Sequence, residues 1–202
     1  MSRKTSINEL VEHVYCINLT RRPDRWAMAE AEFEKAGITG VEKFVATDGQ
    51  TMHTSKIKPG EMGLTHTVMR VFHDAVQKDY SSILILEDDV EFATDLNESL
   101  SWAPEDWEIL NFGGNHARGR PKKLNDKIAI PHQTLASHAV AFKSCTYAKL
   151  LSLLNYEEQV VDVTYSRNLH QFKSYVFVPS IAWQKPSYSD LAEAFADYPF
   201  LR

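Results

Sequence analysis

Residues 83–92 read Ile-Leu-Ile-Leu-Glu-Asp-Asp-Val-Glu-Phe, and the switch from four aliphatics to three acids constrains this chain more than any other segment. An unbroken apolar run of that length suits a strand covered on both faces, as in a parallel sheet. Three carboxylates at its end repel one another and resist removal from water, so something must compensate them. A divalent cation is one compensator, and hard oxygen ligands suit Mn²⁺ or Mg²⁺. In open α/β sheets ligands gather beyond the carboxyl ends of the strands, where this triplet would lie. A metal there can bridge two phosphates and neutralise a leaving diphosphate. Two other readings of the triplet stand beside this one: a solvated acidic cap, and the metal site of a phosphohydrolase.

The preceding segments supply the frame. Val14–Leu19 reads as a buried strand, and Pro23 is placed to open a helix carrying Trp26, Ala29, Phe33 and Ala36 on one face, with Gly37 as its stop. A second strand is predicted over Val41–Ala46, followed by a Thr-Asp-Gly turn at 47–49. From Gly60 to Lys78, Leu64, Val68, Val71, Phe72 and Ala75 again trace one helical face before the acidic strand begins. This strand–helix alternation predicts an α/β fold with a mostly parallel central sheet flanked by helices. Further strands are predicted over 107–112, 136–142 and 175–181, and helices over 145–154 and 160–169. With 202 residues, the default is one domain that buries roughly 70% of its unfolded surface. Its acidic strand ends the first half, residues 1–92, and residues 93–202 make the second.

Composition removes several function classes. Apolar residues at 44% and charged residues at 24% exclude a disordered or collagenous chain. A net charge of −5 argues against electrostatic capture of nucleic acid, which needs a basic face. The amino terminus lacks the apolar core of a signal peptide, and no apolar run approaches a membrane span. Cys16 and Cys145 are far apart and read as two buried, reduced thiols. Together these predict a cytoplasmic chain. The basic stretch His116–Lys123 is predicted to be an exposed loop, either simply solvated or in contact with substrate.

Several side chains are candidates for chemistry. Arg21, Arg22 and Arg25 follow the first strand, at the sheet edge expected for the acids, where guanidinium forks match phosphate oxygens. The alternative is a solvated helix start. Asp48-Gly49 offers a carboxylate for ribose or base beside a residue that permits close approach, or only a turn. Glu61 can bind substrate hydroxyls or cap its helix, and Asp162 can take a proton from an acceptor hydroxyl or cap the helix it opens. His138 reads equally as a structural histidine or one of the site. The strand end Asn111-Phe112-Gly113-Gly114 would admit a sugar or another backbone. Trp183 and Tyr188 could stack on a sugar face or simply pack.

Taken in order, these segments resemble glycosyltransferase family 25, the lipopolysaccharide and collagen-type sugar transferases. The residues that carry the resemblance are Val14-Tyr15-Cys16-Ile17-Asn18-Leu19 with Thr20-Arg21-Arg22-Pro23-Asp24-Arg25, then Ala46-Thr47-Asp48-Gly49, Gly60-Glu61-Met62-Gly63 and Leu86-Glu87-Asp88-Asp89. Asp106–Leu110, Ser137–Val140, Val161-Asp162, Gln184 and Ser189-Asp190 extend it over residues 12–190. The resemblance implies a GT-A-like nucleotide-binding fold, with 1–92 as its nucleotide-sugar-binding half and 93–202 as its acceptor-side half. It further implies transfer of a hexose from a nucleotide-sugar, usually a UDP-sugar, to a glycan, lipid or protein hydroxyl with inversion. It implies Glu87 and Asp89 as ligands of Mn²⁺ or Mg²⁺, with His170 as a third, and Asp88 and Gln184 on the donor. Asp162, Glu61 and His138 then become the catalytic candidates. One departure is visible: the family's Cys-x-x-Ser-His positions read Leu64, Thr67 and Val68 here. His66 lies two residues before the missing histidine, about 200° around a helix, and so does not take over its place. That departure motivates a competing expectation, a nucleotide-sugar- or carbohydrate-binding protein that has lost turnover.

Overall fold

In the computed structural model, residues 5–52, 56–135, 137–190 and 194–201 are described. His53, and Ala136 at the start of the strand predicted over 136–142, lie outside them. The elements run α1 (Ile7–Leu10), β1 (His13–Asn18), α2 (Pro23–Ala36), β2 (Val41–Val45), a 3-10 turn (Gly49–Thr51), α3 (Pro59–Gln77), β3 (Ser82–Glu87) and β4 (Val90–Phe92). They continue with α4 (Leu96–Leu100), β5 (Ile109–Asn111), β6 (Lys122–Lys123), β7 (Ile128–Ile130), β8 (Ala139–Lys143), α5 (Ser144–Leu153) and α6 (Val161–Asn168). A 3-10 turn (Leu169–Gln171), β9 (Ser174–Phe177), β10 (Ala182–Gln184), β11 (Ser187–Ser189), β12 (Ala194–Ala196) and a last 3-10 turn (Pro199–Leu201) follow.

Eight strands form the main sheet in the order β2-β1-β3-β8-β5-β9-β7-β6. β1 pairs in parallel with β2 and β3, and β5 with β9, while β8 and β7 run against their neighbours. Six of the eight strands therefore point one way, as the strand–helix alternation predicts. β8 enters between β3 and β5, so the two halves of the chain share one sheet.

The local causes are readable. Pro23 occupies the first turn of α2, and Gly37 ends it in the left-handed conformation at φ 67°, which costs a residue without a Cβ little. One face of α2 buries Ala29 and Phe33 with Val14, Leu84 and Leu86 on one side of the sheet. On the other side, Val68, Val71, Phe72 and Ala75 of α3 pack with Tyr15, Ile83 and Ile85. Adjacent residues of β1 and β3 thus feed opposite cores, which is why β3 reads as an unbroken aliphatic run. Val68, at the family's histidine position, is buried in this second core. No described helix is long and apolar enough to cross a membrane. Of the two free cysteines, Cys16 is buried, but Cys145, near the start of α5, is exposed, against the expectation of two buried thiols.

Candidate active site

β1 and β3 end side by side, with Ile17 opposite Glu87. Beyond their carboxyl ends opens a cavity of about 450 Å³. Arg21, Arg25, Asp48, Gly49, Glu61, Glu87, Asp88, Asp89, Asp162 and Gln184 all line it. Residues spread over more than 160 positions of sequence thus meet at the edge that the acidic strand predicts.

The acids are compensated first by the chain itself. Arg25, only 7% exposed, places one guanidinium nitrogen 2.6 Å from Asp88 Oδ1 and 2.7 Å from Asp89 Oδ2. Burial opposes the Arg25 charge, but Asp89 and Asp88 outweigh it and hold the guanidinium protonated. Asn18, the last residue of β1, donates to Asp88 Oδ2 at 2.6 Å. Burial still leaves Asp88 raised above the ordinary carboxylate range, despite the opposing pull of Arg25 and Asn18. Glu87 is half-buried on the cavity floor; Ser137 Oγ donates to its Oε1 at 2.9 Å and Gln184 Nε2 to its Oε2 at 3.1 Å. Removal from water, and next the Asp89 charge, push its carboxyl up to about 8. Asp89 Oδ1 is buried and has no hydrogen-bond partner. A carboxylate oxygen in that situation is costly unless a donor or cation meets it.

At the rim, Arg21 Nε donates to Asp48 Oδ2 at 2.7 Å, and Arg21 also pairs with Asp190. Asp48 first, then Asp190, hold the Arg21 guanidinium charged, and Arg21 in turn keeps Asp48 below the usual carboxylate range. Asp48 is fixed by packing as well as by charge. A Cβ on Gly49 would lie 1.8 Å from the Pro59 carbonyl oxygen, and one on Gly63 would lie 2.6 Å from that of Thr47. These two glycines let the 46–49 segment lie directly on the first turn of α3. Thr67 Oγ1, accepting from Thr47 N–H at 2.8 Å and donating to the Gly63 carbonyl at 2.7 Å, fastens the same seam.

Glu61 caps its helix, its carboxylate accepting from Lys58 N–H at 3.1 Å at the start of α3, and it also lines the cavity. Asp162 stands in the first turn of α6, but the capping position falls to Val160, so Asp162 is not the N-cap.

Several candidates are not brought to the cavity. Arg22 pairs with Asp24 at 2.8 Å and Asp190 at 2.5 Å and is absent from the lining. His138 is buried, with Nε2 3.0 Å from the Ala182 carbonyl oxygen and Nδ1 unpartnered; burial lowers its pKa, favouring the neutral ring. Its position at the step into β8 turns the ring into the protein, which corrects its expected place among the catalytic groups. His170 is exposed on the 3-10 turn after α6, outside the lining, so the expected third ligand does not join Glu87 and Asp89. His66 contacts Thr47 Oγ1 at 2.9 Å and likewise stays outside. Gly113 and Gly114 are approached by Ala182, Ser180, Thr134 and Leu135, so protein, rather than a sugar, fills the space beside them. Trp183 donates to Glu91 at 2.8 Å, and neither it nor Tyr188 lines the cavity.

Other lining residues were not among the sequence candidates: Ser137, Asn115, Leu135, Tyr198 and Leu201. Asn18, which holds Asp88 from outside the lining, carried a usable signal, a polar residue closing a buried strand next to the acidic one. Ser137 lies inside the strand predicted over 136–142, just ahead of β8, while Asn115, Leu135, Tyr198 and Leu201 fall outside every predicted strand and helix.

Acids and arginines thus face one another in a cleft at the carboxyl ends of the strands, the place where open α/β sheets bind their ligands. Comparison with known proteins narrows this. The profile of glycosyltransferase family 25 (LPS biosynthesis protein) matches residues 11–182, and the chain belongs to that family. A "Glycosyltransferase 25 family member" of Aedes aegypti is 25% identical over 169 residues, covering 71% of this chain and 27% of that relative. One of Drosophila pseudoobscura pseudoobscura is 30% identical over 102 residues, covering 41% of this chain and 16% of the relative. The chain thus spans under a third of either relative's length. Among solved structures, A197 from STIV is similar at 10% identity, with a TM-score of 0.48, over 85% of this chain and 84% of that one.

Proposed function

We propose that this chain transfers a hexose from a nucleotide-sugar, a UDP-sugar in the first instance, to a hydroxyl group of a glycan, lipid or protein acceptor. The observation that carries this reading is the cavity in which Glu87, Asp88 and Asp89 meet Arg21, Arg25, Asp48 and Asp162. In a GT-A-like arrangement the donor lies over β1 and β3, with its diphosphate near Arg21 and its ribose near Asp48. Asn115, Leu135, Val160 and Val163 line the same cavity and would wall its acceptor side.

The residues suit a divalent metal. Among the described residues no group of three or more His, Cys, Asp or Glu side chains forms a metal cage. Mg²⁺ and Mn²⁺ at nucleotide sites, however, commonly use one or two carboxylates and complete their shell with substrate phosphates and water. Asp89, through its unpartnered Oδ1, and Glu87 would hold the ion. When bound it supplies charge neutralisation for the departing diphosphate.

In the reaction the acceptor hydroxyl gives its proton to the Asp162 carboxylate as its oxygen bonds to the anomeric carbon. The bond from that carbon to the diphosphate oxygen breaks, and its electron pair leaves with the nucleoside diphosphate. Arg21, exchanging Asp48 and Asp190 for phosphate oxygens, stabilises the charge that develops. Direct displacement inverts the anomeric centre. The test is UDP-sugar consumption with Mn²⁺, wild type against Asp89→Ala, across a panel of acceptors. Turnover abolished in the variant is the expected result, and equal turnover overturns the assignment. Val68 in place of the family histidine favours one second reading, a donor-binding protein without turnover. Saturable donor binding with neither transfer nor hydrolysis would establish it.

A further inference from the structure

The segment between Asn115 and Leu135 is attached directly to the cavity, yet the proposed chemistry uses only its two ends. Asn115 and Leu135 both line the cavity and exchange backbone hydrogen bonds of 2.9 Å in each direction. Between them the chain leaves the site, forms the β6–β7 hairpin and returns, and β6 is the last strand at that edge of the sheet. The arm is built rather than slack. Leu124 N–H donates to the Ile128 carbonyl at 2.9 Å, and Asn125 Oδ1 accepts from Lys127 and Ile128 N–H at 2.9 and 2.8 Å. Lys127 is pinned to Asp95 at 2.9 Å, and Gly119 lies so close to the His132 ring that a Cβ there would come within 2.1 Å.

What this arm displays runs against the rest of the molecule. The chain carries −5 overall, yet Arg118, Arg120, Lys122 and Lys123 are all exposed, and Asp126 is the single acid between residues 116 and 135. Among the described residues none of these four cations has an ion-pair partner. Beside them stand two large aliphatic side chains in water: Leu124 at 50% and Ile130 at 41% exposure. Lys122 and Ile130 are cross-strand partners, so cation and aliphatic side chain occur together at one register position. An exposed sheet edge calls for lysines to discourage pairing, but it does not call for exposed leucine and isoleucine as well. Cations that meet acidic headgroups, alongside aliphatics that enter the headgroup–acyl boundary, are the components of an interfacial membrane contact.

We propose that the 116–132 arm docks on an anionic lipid surface and presents the Asn115–Leu135 mouth of the cavity to an acceptor carried there. The docking itself stands on the arm alone, while the word acceptor rests on the transferase reading above. A soluble anionic sugar would use the four cations but leave Leu124 and Ile130 without a role, which is why the lipid surface is preferred.

The test is co-sedimentation of the full chain with vesicles of phosphatidylcholine alone and of phosphatidylcholine mixed with phosphatidylglycerol, at roughly 0.1 M salt. Binding is expected to the mixed vesicles only and to fall as salt rises. Each basic residue contributes roughly five-fold to partitioning onto such a surface, so replacing Arg118, Arg120, Lys122 and Lys123 together by Ala weakens it on the order of several-hundred-fold. Leu124→Ser with Ile130→Ser, all four cations kept, weakens it by a smaller but measurable factor. No binding to mixed vesicles, equal binding to both vesicle types, or an unaffected four-fold variant each overturn the proposal. So does binding of a soluble phosphorylated oligosaccharide to the arm with no vesicle binding. UDP-sugar binding, measured in parallel without vesicles, is expected to be the same in both variants as in wild type. Vesicle docking without any UDP-sugar binding in wild type would sink the transferase reading and leave the docking intact.

Discussion

Replacing Arg25 by Met removes the cation that, among the described residues, pairs with both Asp88 and Asp89. The stem volume is nearly kept, so the effect reports charge rather than a cavity. In the wild type a guanidinium 7% exposed contacts Asp88 at 2.6 Å and Asp89 at 2.7 Å. Breaking a buried pair from one side costs about 3–5 kcal/mol, because the remaining charge is left uncompensated. The cavity is open to solvent, which lets water and protons offset part of this, so the lower end, about 3 kcal/mol, is the expected loss at neutral pH. Urea unfolding of the metal-free protein, with the slope held constant between variants, measures it. Three dependent results follow from the same reasoning. The loss shrinks as the pH falls, because burial holds Asp88 above the ordinary carboxylate range and its protonation relieves the uncompensated charge. The triple change Arg25→Met, Asp88→Asn and Asp89→Asn recovers most of it. Mn²⁺ raises the midpoint of Arg25→Met more than that of wild type, since it meets bare carboxylates. A loss below about 1 kcal/mol that does not vary with pH would refute the claim that Arg25 carries the electrostatic balance of this site.

Further outcomes can be checked independently. Glu87→Gln is expected to stabilise the metal-free protein at neutral pH. A carboxyl at about 8 in the fold and 4.5 when unfolded costs nothing below pH 4.5, and its penalty grows as pH rises to 8, reaching about 3 kcal/mol at pH 7. Melting curves at pH 5, 7 and 8 that keep the two proteins equally apart would contradict it. Gly49→Ala must move Asp48 away from α3 because its Cβ meets the Pro59 carbonyl; a loss of about 1–3 kcal/mol, with weakened UDP-sugar binding, is expected by calorimetry. Asp162→Asn should lower turnover about 10²- to 10⁴-fold while donor affinity is retained, and a fall in affinity at unchanged turnover would remove it as the base.

The parts of this fold that sequence makes legible are those held by repeated local signals. Pro23 and Gly37 bracket α2 as read, the α3 face buries Val68, Val71, Phe72 and Ala75, and β3 ends in the acids. What escapes is set by contacts distant in sequence. β4 and β10 are three residues each and exist because Val90–Phe92 pairs with Ala182–Gln184, which no local pattern announces. The same pairing brings Gln184 to Glu87. Arg25 reads by type as a phosphate ligand, but its pairing with Asp88 and Asp89 is a contact between residues far apart in sequence that no local pattern announces. For the histidines, residue type misled. His138 and His170 have ligand chemistry, yet a strand step turns one into the core and a surface turn carries the other away.

The most direct test of the central claim is a crystal of the protein grown or soaked with Mn²⁺ and a UDP-sugar, with the metal located by its anomalous signal. The account predicts one Mn²⁺ peak beside Asp89 and Glu87, the diphosphate between it and Arg21, and the anomeric carbon facing Asp162. Donor or metal density anywhere other than the edge formed by Glu87, Asp88 and Asp89 would contradict it.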